Sequence, residues 1–300
     1  MGAVVTGGCG FIGSHLVDAL AARGEEIAVI DNLSTGNLEN LAASLPTGRC
    51  TFHRMDLNGN GWERVLKGAE AVYHLAADPD VRMSGVRPES VLRNNILATA
   101  RVLEAMRGQD VPRLVFTSTS TVYGEAKLIP TPEDYSPLEP ISVYAGSKLA
   151  CEALISAYCH SYGMQAWVFR FANIIGERSN HGVIWDFIHK LRENPRSLEI
   201  LGDGRQAKSY LEVRECVRGM LLAVDRAQEA YNVFNIGSEE WIDVKSIADI
   251  VVDSLGLTGV EYRFTGGDRG WVGDVPRMLL SIERLKGIGW RPALGSRESV

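Results

Sequence analysis

The chain has 300 residues, with 31 Lys and Arg against 37 Asp and Glu, and a formal net charge of −6 at pH 7. That length holds one large α/β domain or two smaller ones. The acidic balance, with no basic tract to release counterions, excludes nucleic acid as a main partner. No apolar run reaches the roughly 18 residues of a membrane span, and no basic leader precedes the first apolar run, so no signal peptide is expected. Five scattered cysteines without a C-x-x-C pair (Cys9, Cys50, Cys151, Cys159, Cys216) fit a reducing compartment and offer no zinc framework. The expected location is cytoplasmic.

The first apolar run, Ala3–Thr6, leads into a glycine-dense corner, which opens into a helical pattern over Ile12–Arg23. Strand, tight turn and helix in that order aim free N–H groups and a positive helix end at one point, as a phosphate requires. Gly8, Gly10 and Gly13 match G-x-G-x-x-G, while Gly7, Gly10 and Gly13 match G-x-x-G-x-x-G. Both describe a dinucleotide-binding turn. Cys9, inside the turn, is read as a small residue that fits there. A second strand, Ile27–Asp31, ends on an acidic residue eighteen positions after Gly13. Such a carboxylate accepts from adenosine ribose hydroxyls and repels a 2′-phosphate. Asn32-Leu33-Ser34-Thr35-Gly36 carries no Arg or Lys to receive that phosphate, so NAD is expected rather than NADP.

Further strands are predicted at Thr51–Met55, Ala71–Leu75, Arg113–Ser118 and Gln165–Arg170, with helices at Glu89–Arg107 and Val143–Tyr162. This alternation implies a doubly wound, Rossmann-type parallel sheet with helices on both faces. Asp56-Leu57 follows the third strand and is placed to meet the adenine edge. Leu75-Ala76-Ala77 follows the fourth, where small residues let a cofactor lie against the sheet, and His74 reads as a packed residue. After Arg170 the chain turns loop-rich (Asn173–Gly182, Gly202–Lys208, Gly266–Gly273), with helices near Trp185–Glu193, Val213–Arg226 and Val244–Leu255. We expect residues 1–172 to form the cofactor domain and 173–300 mainly a smaller α/β substrate lobe.

Two Tyr-x-x-x-Lys pairs occur. Tyr123 and Lys127 flank Gly124 and precede Pro130 and Pro132, which predicts a loop without fixed geometry. Tyr144 and Lys148 open a Pro-free helix, and a spacing of four puts both on one face. An ammonium beside a phenol lowers its pKa and makes it a usable base. Upstream, Thr117 to Thr121 is a hydroxyl-rich strand end that can bond a substrate oxygen or cap its own backbone.

Together these segments resemble the extended short-chain dehydrogenase/reductase superfamily, most closely nucleoside-diphosphate-sugar epimerases of the UDP-glucose 4-epimerase type. The likeness runs through TGGCGFIG, DNLSTG, HLAA, STSTVYG, YAGSK, RFANIIG, LGDGRQAKSYLEV and RGWVGD, and HGVIWDFI is similar to the compact archaeal and bacterial forms. The resemblance implies bound NAD and a catalytic set of Tyr144, Lys148 and Thr119. It also implies cofactor contacts from Phe11, Ile12, Asn95, Ser118 and Ala172 besides the residues already named. On the sugar nucleotide it implies contacts from Thr119, Tyr144 and Asn173, with Lys208 and Arg269 on its phosphates or uridine. Lys208 stands where many members carry Arg, and gives a point charge in place of a fork. The implied reaction is 4-epimerisation of a UDP-sugar such as UDP-galactose/UDP-glucose through a transient 4-keto intermediate. Members that are 4,6-dehydratases carry Asp-Glu after the Thr, and UDP-glucuronate decarboxylases usually carry Glu at the Thr121 position. Here Ser120 and Thr121 follow, which weakens both lyase alternatives; these two and a UDP-N-acetyl sugar epimerase stay as the alternative readings. A non-catalytic NAD-binding protein would usually lose the Tyr or the Lys, and both are kept. By analogy a homodimer is expected, through Glu89–Arg107 and Val143–Tyr162. Members also carry one more helix after the Trp290-Arg291-Pro292 segment, which is not expected here.

Overall fold

The computed structural model describes residues 2–300. Strand β1 (Ala3–Thr6) is wholly buried and enters α1 (Phe11–Ala22) through the glycine corner. Helix α1 turns Leu16, Val17 and Leu20 inward, the spacing that makes one apolar stripe. Then follow β2 (Ile27–Asp31), β3 (Cys50–Arg54) and β4 (Ala71–His74), all parallel to their neighbours. Short helices α2 (Val81–Ser84) and α3 (Pro88–Val91) run through a π-helical stretch, Leu92–Leu97, into α4 (Ala98–Gly108). The expected helix over Glu89–Arg107 is thus formed, with a widened turn in it. Strand β5 (Arg113–Thr119), helix α5 (Val143–Tyr162) and β6 (Gln165–Phe171) complete the first half. Helix α5 starts where the Ser142 hydroxyl accepts from the Ala145 N–H and stops at Gly163, whose φ of +67° is left-handed.

The second half adds β7 (Asn173–Ile175), α6 (Val183–Glu193), β8 (Ser197–Ile200), β9 (Ala207–Lys208), β10 (Tyr210–Glu212) and α7 (Val213–Arg226). It ends with β11 (Tyr231–Ile236), β12 (Ile242–Asp243), α8 (Val244–Ser254), β13 (Glu261–Phe264), β14 (Arg277–Met278), α9 (Glu283–Gly287) and α10 (Ser296–Ser299). The main sheet has seven strands in the order β11-β6-β5-β4-β1-β2-β3. Strand order reverses at β1, between β4 and β2, and ligands of open α/β sheets bind beyond the carboxyl ends at such a point.

A cut at residue 172 does not partition this sheet. Strand β11 returns to pair with β6 over Tyr231–Ile236, and α7 packs on α1, where Leu16 and Val17 share a core with Met220, Leu221 and Trp290. What stands apart is a lobe of small sheets (β7 with β10, β9 with β12 and β14, β8 with β13) around Phe187, Leu198 and Ile247. Two of the expected loops contain its strands β7 and β9, too short to leave a period-2 signal. After Trp290, α10 docks where the Ser296 hydroxyl donates to the Glu240 carbonyl at 2.6 Å. Among the described residues, no helix is long and apolar enough to cross a membrane, and no cluster of His, Cys, Asp and Glu could hold a metal ion.

Candidate active site

The glycines of the turn do different things. Gly7 sits at φ +72°, and a Cβ there would lie 2.6 Å from the Ala76 nitrogen. On Gly8 it would meet Val29 at 2.7 Å, and on Gly13 the Gly7 carbonyl oxygen at 2.2 Å. These three let the turn pack against the sheet. A Cβ on Gly10 would meet only the Gly7 oxygen, at 3.2 Å. Gly10 is also the N-cap of α1 and no side chain caps it, so the first N–H groups of the helix, at Phe11, Ile12 and Gly13, face an open cradle. Asp31 is buried and accepts from the Cys9 N–H at 3.0 Å and the Leu33 N–H at 2.8 Å. A carboxylate has about four lone-pair sites, so two stay free for ribose hydroxyls. Gly36 lets the following loop press on Cys9, whose carbonyl accepts from Asn37 N–H at 3.0 Å. Burial pushes the Cys9 thiol up to about 12, which makes it inert.

The rest of the adenosine end is held from β3 and β4. Asn32 donates to Asp56 at 3.1 Å and accepts from the Ser34 N–H at 2.9 Å. Burial opposes ionisation of Asp56, but the Asn58 N–H and the Asn32 amide hold its carboxyl below the ordinary range. Leu57 is buried, with its carbonyl on the Trp62 indole. Thr35 offers its carbonyl to Asn180 at 3.3 Å. Leu75 and Ala76 are pinned to Thr6 through their N–H groups, with Ala77 half-buried beyond them. His74 lies between Thr6 and Thr99, and burial with Lys148 nearby pushes its pKa down to about 3. It is a neutral packed residue, as its sequence position implied.

Tyr144 and Lys148 stand on the first turns of α5, over the carboxyl end of β5. Lys148 is 3% exposed, donates to the Thr117 carbonyl at 2.9 Å and sits 4.8 Å above the Phe116 ring. Burial brings its pKa down to about 8. Tyr144 is half-buried and bonds Thr119, but burial outweighs that bond and pushes its pKa up to about 12. For Tyr144 the raising by burial is the largest influence, while the Lys148 ammonium donates one of its three hydrogens to the Thr117 carbonyl. Thr119 accepts from the Thr121 N–H and shares a 3.0 Å contact with the Thr121 hydroxyl.

At the far end, Lys208 and Arg269 converge on Asp274. Lys208 is 2.5 Å from an Asp274 oxygen, while Arg269 donates to the Asp274 carbonyl at 3.3 Å and pairs with Glu125. Trp271 lies between Lys208 (5.3 Å) and Arg82 (4.5 Å), its indole N–H buried without a partner. Arg82 also pairs with Asp186 at 3.5 Å. Asn173 keeps its side chain on the Ser209 carbonyl at 3.4 Å. Three cations, each paired with a carboxylate, thus gather around an indole donor that has no partner.

Residues 3–237 match the NAD dependent epimerase/dehydratase family. The chain belongs to that family. A crystal structure of a UDP-galactose 4-epimerase is 42% identical with a TM-score of 0.90, covering 100% of this chain and 96% of that one. The Thermus thermophilus UDP-glucose 4-epimerase complex with NAD is 33% identical, with a TM-score of 0.88 over 100% and 96%. Other relatives carry other names. A UDP-N-acetylglucosamine 4-epimerase from Methanobrevibacter ruminantium is 30% identical, with a TM-score of 0.89 over 99% and 96%. UDP-glucuronic acid decarboxylase 1 of Arabidopsis thaliana is 29% identical over 99% of this chain and 67% of its own.

NAD is the cofactor of this family, and the open cradle at Gly10, the two free lone pairs of Asp31 and the small residues after β4 fit it. Within this epimerase/dehydratase site several predicted residues are placed differently from expectation. The Ser118 hydroxyl donates to Glu152 in the interior, since alternate residues of β5 face opposite sides. Asn95 is buried, its amide used on Asp78 (2.7 and 3.2 Å) and the Ser147 hydroxyl (2.9 Å), so it braces α5 from the π-helical turn. Ala172 is buried, its N–H on the Ile236 carbonyl at 2.8 Å. Tyr123 is not in a loose loop: its hydroxyl donates to Asn235 at 2.7 Å and accepts from Arg170 at 2.9 Å. Sequence reasoning missed Asp78, Arg82, Trp271 and the buried pair of Glu152 and Arg170. Only the i, i+4, i+8 spacing of Tyr144, Lys148 and Glu152 could have pointed to any of them.

Proposed function

We propose that this enzyme interconverts the C4 epimers of a UDP-sugar, with UDP-galactose and UDP-glucose as the pair. One observation carries the reading: a tyrosine, lysine and threonine meet at the sheet end with no carboxylate at the two positions directly after Thr119. Tyr144, aligned by Thr119, acts as the phenolate that takes the proton of the C4 hydroxyl and later returns it, and Lys148 as an ammonium stabilises that phenolate. NAD, when bound, supplies the hydride acceptor and donor. Elimination of water from C5 and C6 needs a further acid and base, and Ser120 and Thr121 can be neither. Asp78, the carboxylate that influences Tyr144, accepts from the Ser90 hydroxyl at 3.0 Å and the Asp80 N–H at 3.3 Å. Lys208, Arg269 and Arg82 suit the diphosphate, and Asn173 the sugar nucleotide. The exposed Leu92, Leu97 and Tyr162 on the outer face of α4, α5 and the π-helical turn support a homodimer through these helices, which sedimentation would test. The functional test offers UDP-galactose, UDP-N-acetylglucosamine and UDP-glucuronate in parallel. C4 inversion of the first without net NADH supports the proposal, while carbon dioxide released from the third, with no inversion of the first, overturns it.

A further inference from the structure

Below Lys148 lies a buried ion pair, Glu152 with Arg170, to which the proposed function assigns no role. Glu152, one turn further along α5, is 3% exposed, and Arg170 on β6 is 5% exposed. The Arg170 guanidinium donates to Glu152 through Nε at 3.1 and 3.2 Å and through Nη2 at 2.7 Å. Its Nη1 donates to the Tyr123 hydroxyl at 2.9 Å and the Glu133 carbonyl at 3.0 Å. The Ser118 hydroxyl donates to the same Glu152 oxygen that accepts from Nε. One carboxylate therefore ties α5 to the ends of both β5 and β6. Ser118 lies between Thr117, whose carbonyl holds Lys148, and Thr119, which holds Tyr144. A buried ion pair of this kind is seldom a net gain in stability over apolar packing, so its position under the catalytic lysine calls for another role.

We propose that Glu152 is a positioning residue for the catalytic helix: it fixes α5 against β5 and supplies the negative charge that keeps Lys148 an ammonium. The inference rests on the proposed role of Tyr144 and Lys148. Lys148 is buried in apolar surroundings with one carbonyl acceptor, and burial alone favours its neutral form. The titratable groups facing it are Cys151 and Glu152 on its own helix and His74 from β4, with Arg170 from β6 behind Glu152. Burial keeps Cys151 a neutral thiol and His74 a neutral ring. Glu152 is the anion of the set, and Arg170 engages it through the side turned to β6. The sign follows: removing the carboxylate charge leaves Arg170 unbalanced and lowers the pH at which Lys148 loses its proton.

The test is Glu152→Gln, which keeps the shape and an acceptor for Ser118. The basic limb of the rate profile should move down by about one pH unit, a roughly tenfold lower rate on the basic side relative to its own neutral plateau, with KM little changed. Glu152→Asp, which keeps the charge, should restore the limb. In protein labelled with 13C at the lysine ε-carbon, the Lys148 signal, assigned by its loss in Lys148→Arg, should titrate lower in Glu152→Gln than in the parent. That measurement needs no substrate, so it stands even if the sugar has been misassigned. If Glu152→Gln proves too unstable, Ser118→Ala is the second variant. It strips one donor from Glu152 and leaves the charge, and is expected to raise the Lys148 titration. A Lys148 titration and basic limb unchanged in every variant, with only melting temperature reduced, would overturn the proposal and leave Glu152 as a structural tie.

Discussion

The two ends of the site are built from different materials. At the cofactor end, the contacts are backbone: a turn whose glycines are packed to within 2.2–2.7 Å of where a side chain would begin, and a carboxylate already fixed by two N–H groups. At the sugar-nucleotide end, the contacts are long cations lent to carboxylates, Lys208 to Asp274, Arg269 to Glu125 and Arg82 to Asp186. A backbone cradle loses no rotamer freedom on binding, whereas a long side chain loses up to about 2 kcal/mol when it is ordered. The first suits a group that stays; the second suits one that must enter, turn over and leave.

The largest effect should come where the two ends meet. Tyr144→Phe should lower turnover by about 10²–10⁴-fold while the purified protein still carries NAD, read from rate and bound-cofactor absorbance together. Next, the rigidity of the cofactor end can be broken at one glycine and spared at its neighbour. Gly13→Ala should cost about 1–3 kcal/mol or more by overpacking, visible as a lower melting temperature. Gly10→Ala should melt close to the parent yet arrive largely free of NAD, since its methyl fills only the cradle. If both variants melt alike, the division of labour among the glycines is wrong. At the exchangeable end, Lys208→Met should raise KM ten- to a hundredfold at nearly constant kcat, as loss of about 1.5–3 kcal/mol of charge-assisted binding requires. The smallest effect sharpens the contrast: Glu125→Gln frees Arg269 from its partner and should lower KM by no more than about fivefold, the value of an exposed pair. A rise in KM would mean that Glu125 helps hold the substrate.

This contrast also governs what the sequence could reveal. Six of the sheet's seven strands were legible because buried parallel strands leave apolar runs and glycine spacing is a backbone signal. Helix α5 was legible to its ends because Ser142 and Gly163 cap it. Tyr144 and Lys148 could be paired by one helical turn. The proposed sugar end was legible only through the resemblance, which named Asn173, Lys208 and Arg269; Arg82, Trp271 and Asp186 meet from three separated segments, and no local pattern encodes that meeting. The return of β11 to the main sheet was hidden for the same reason. Asn95 was legible only through the family resemblance, and the structure gives it a bracing role through Asp78 and Ser147. The bond from Ser118 to Glu152 was not legible, because the two residues are 34 positions apart and meet only once α5 packs on β5.

The most direct measurement of the central claim follows UDP-galactose by NMR with the purified enzyme and no added reductant, while absorbance near 340 nm is recorded. C4 inversion to UDP-glucose with no lasting rise in NADH, abolished in Tyr144→Phe, is the predicted result. Unchanged UDP-galactose, or inversion at a normal rate in Tyr144→Phe, would contradict it.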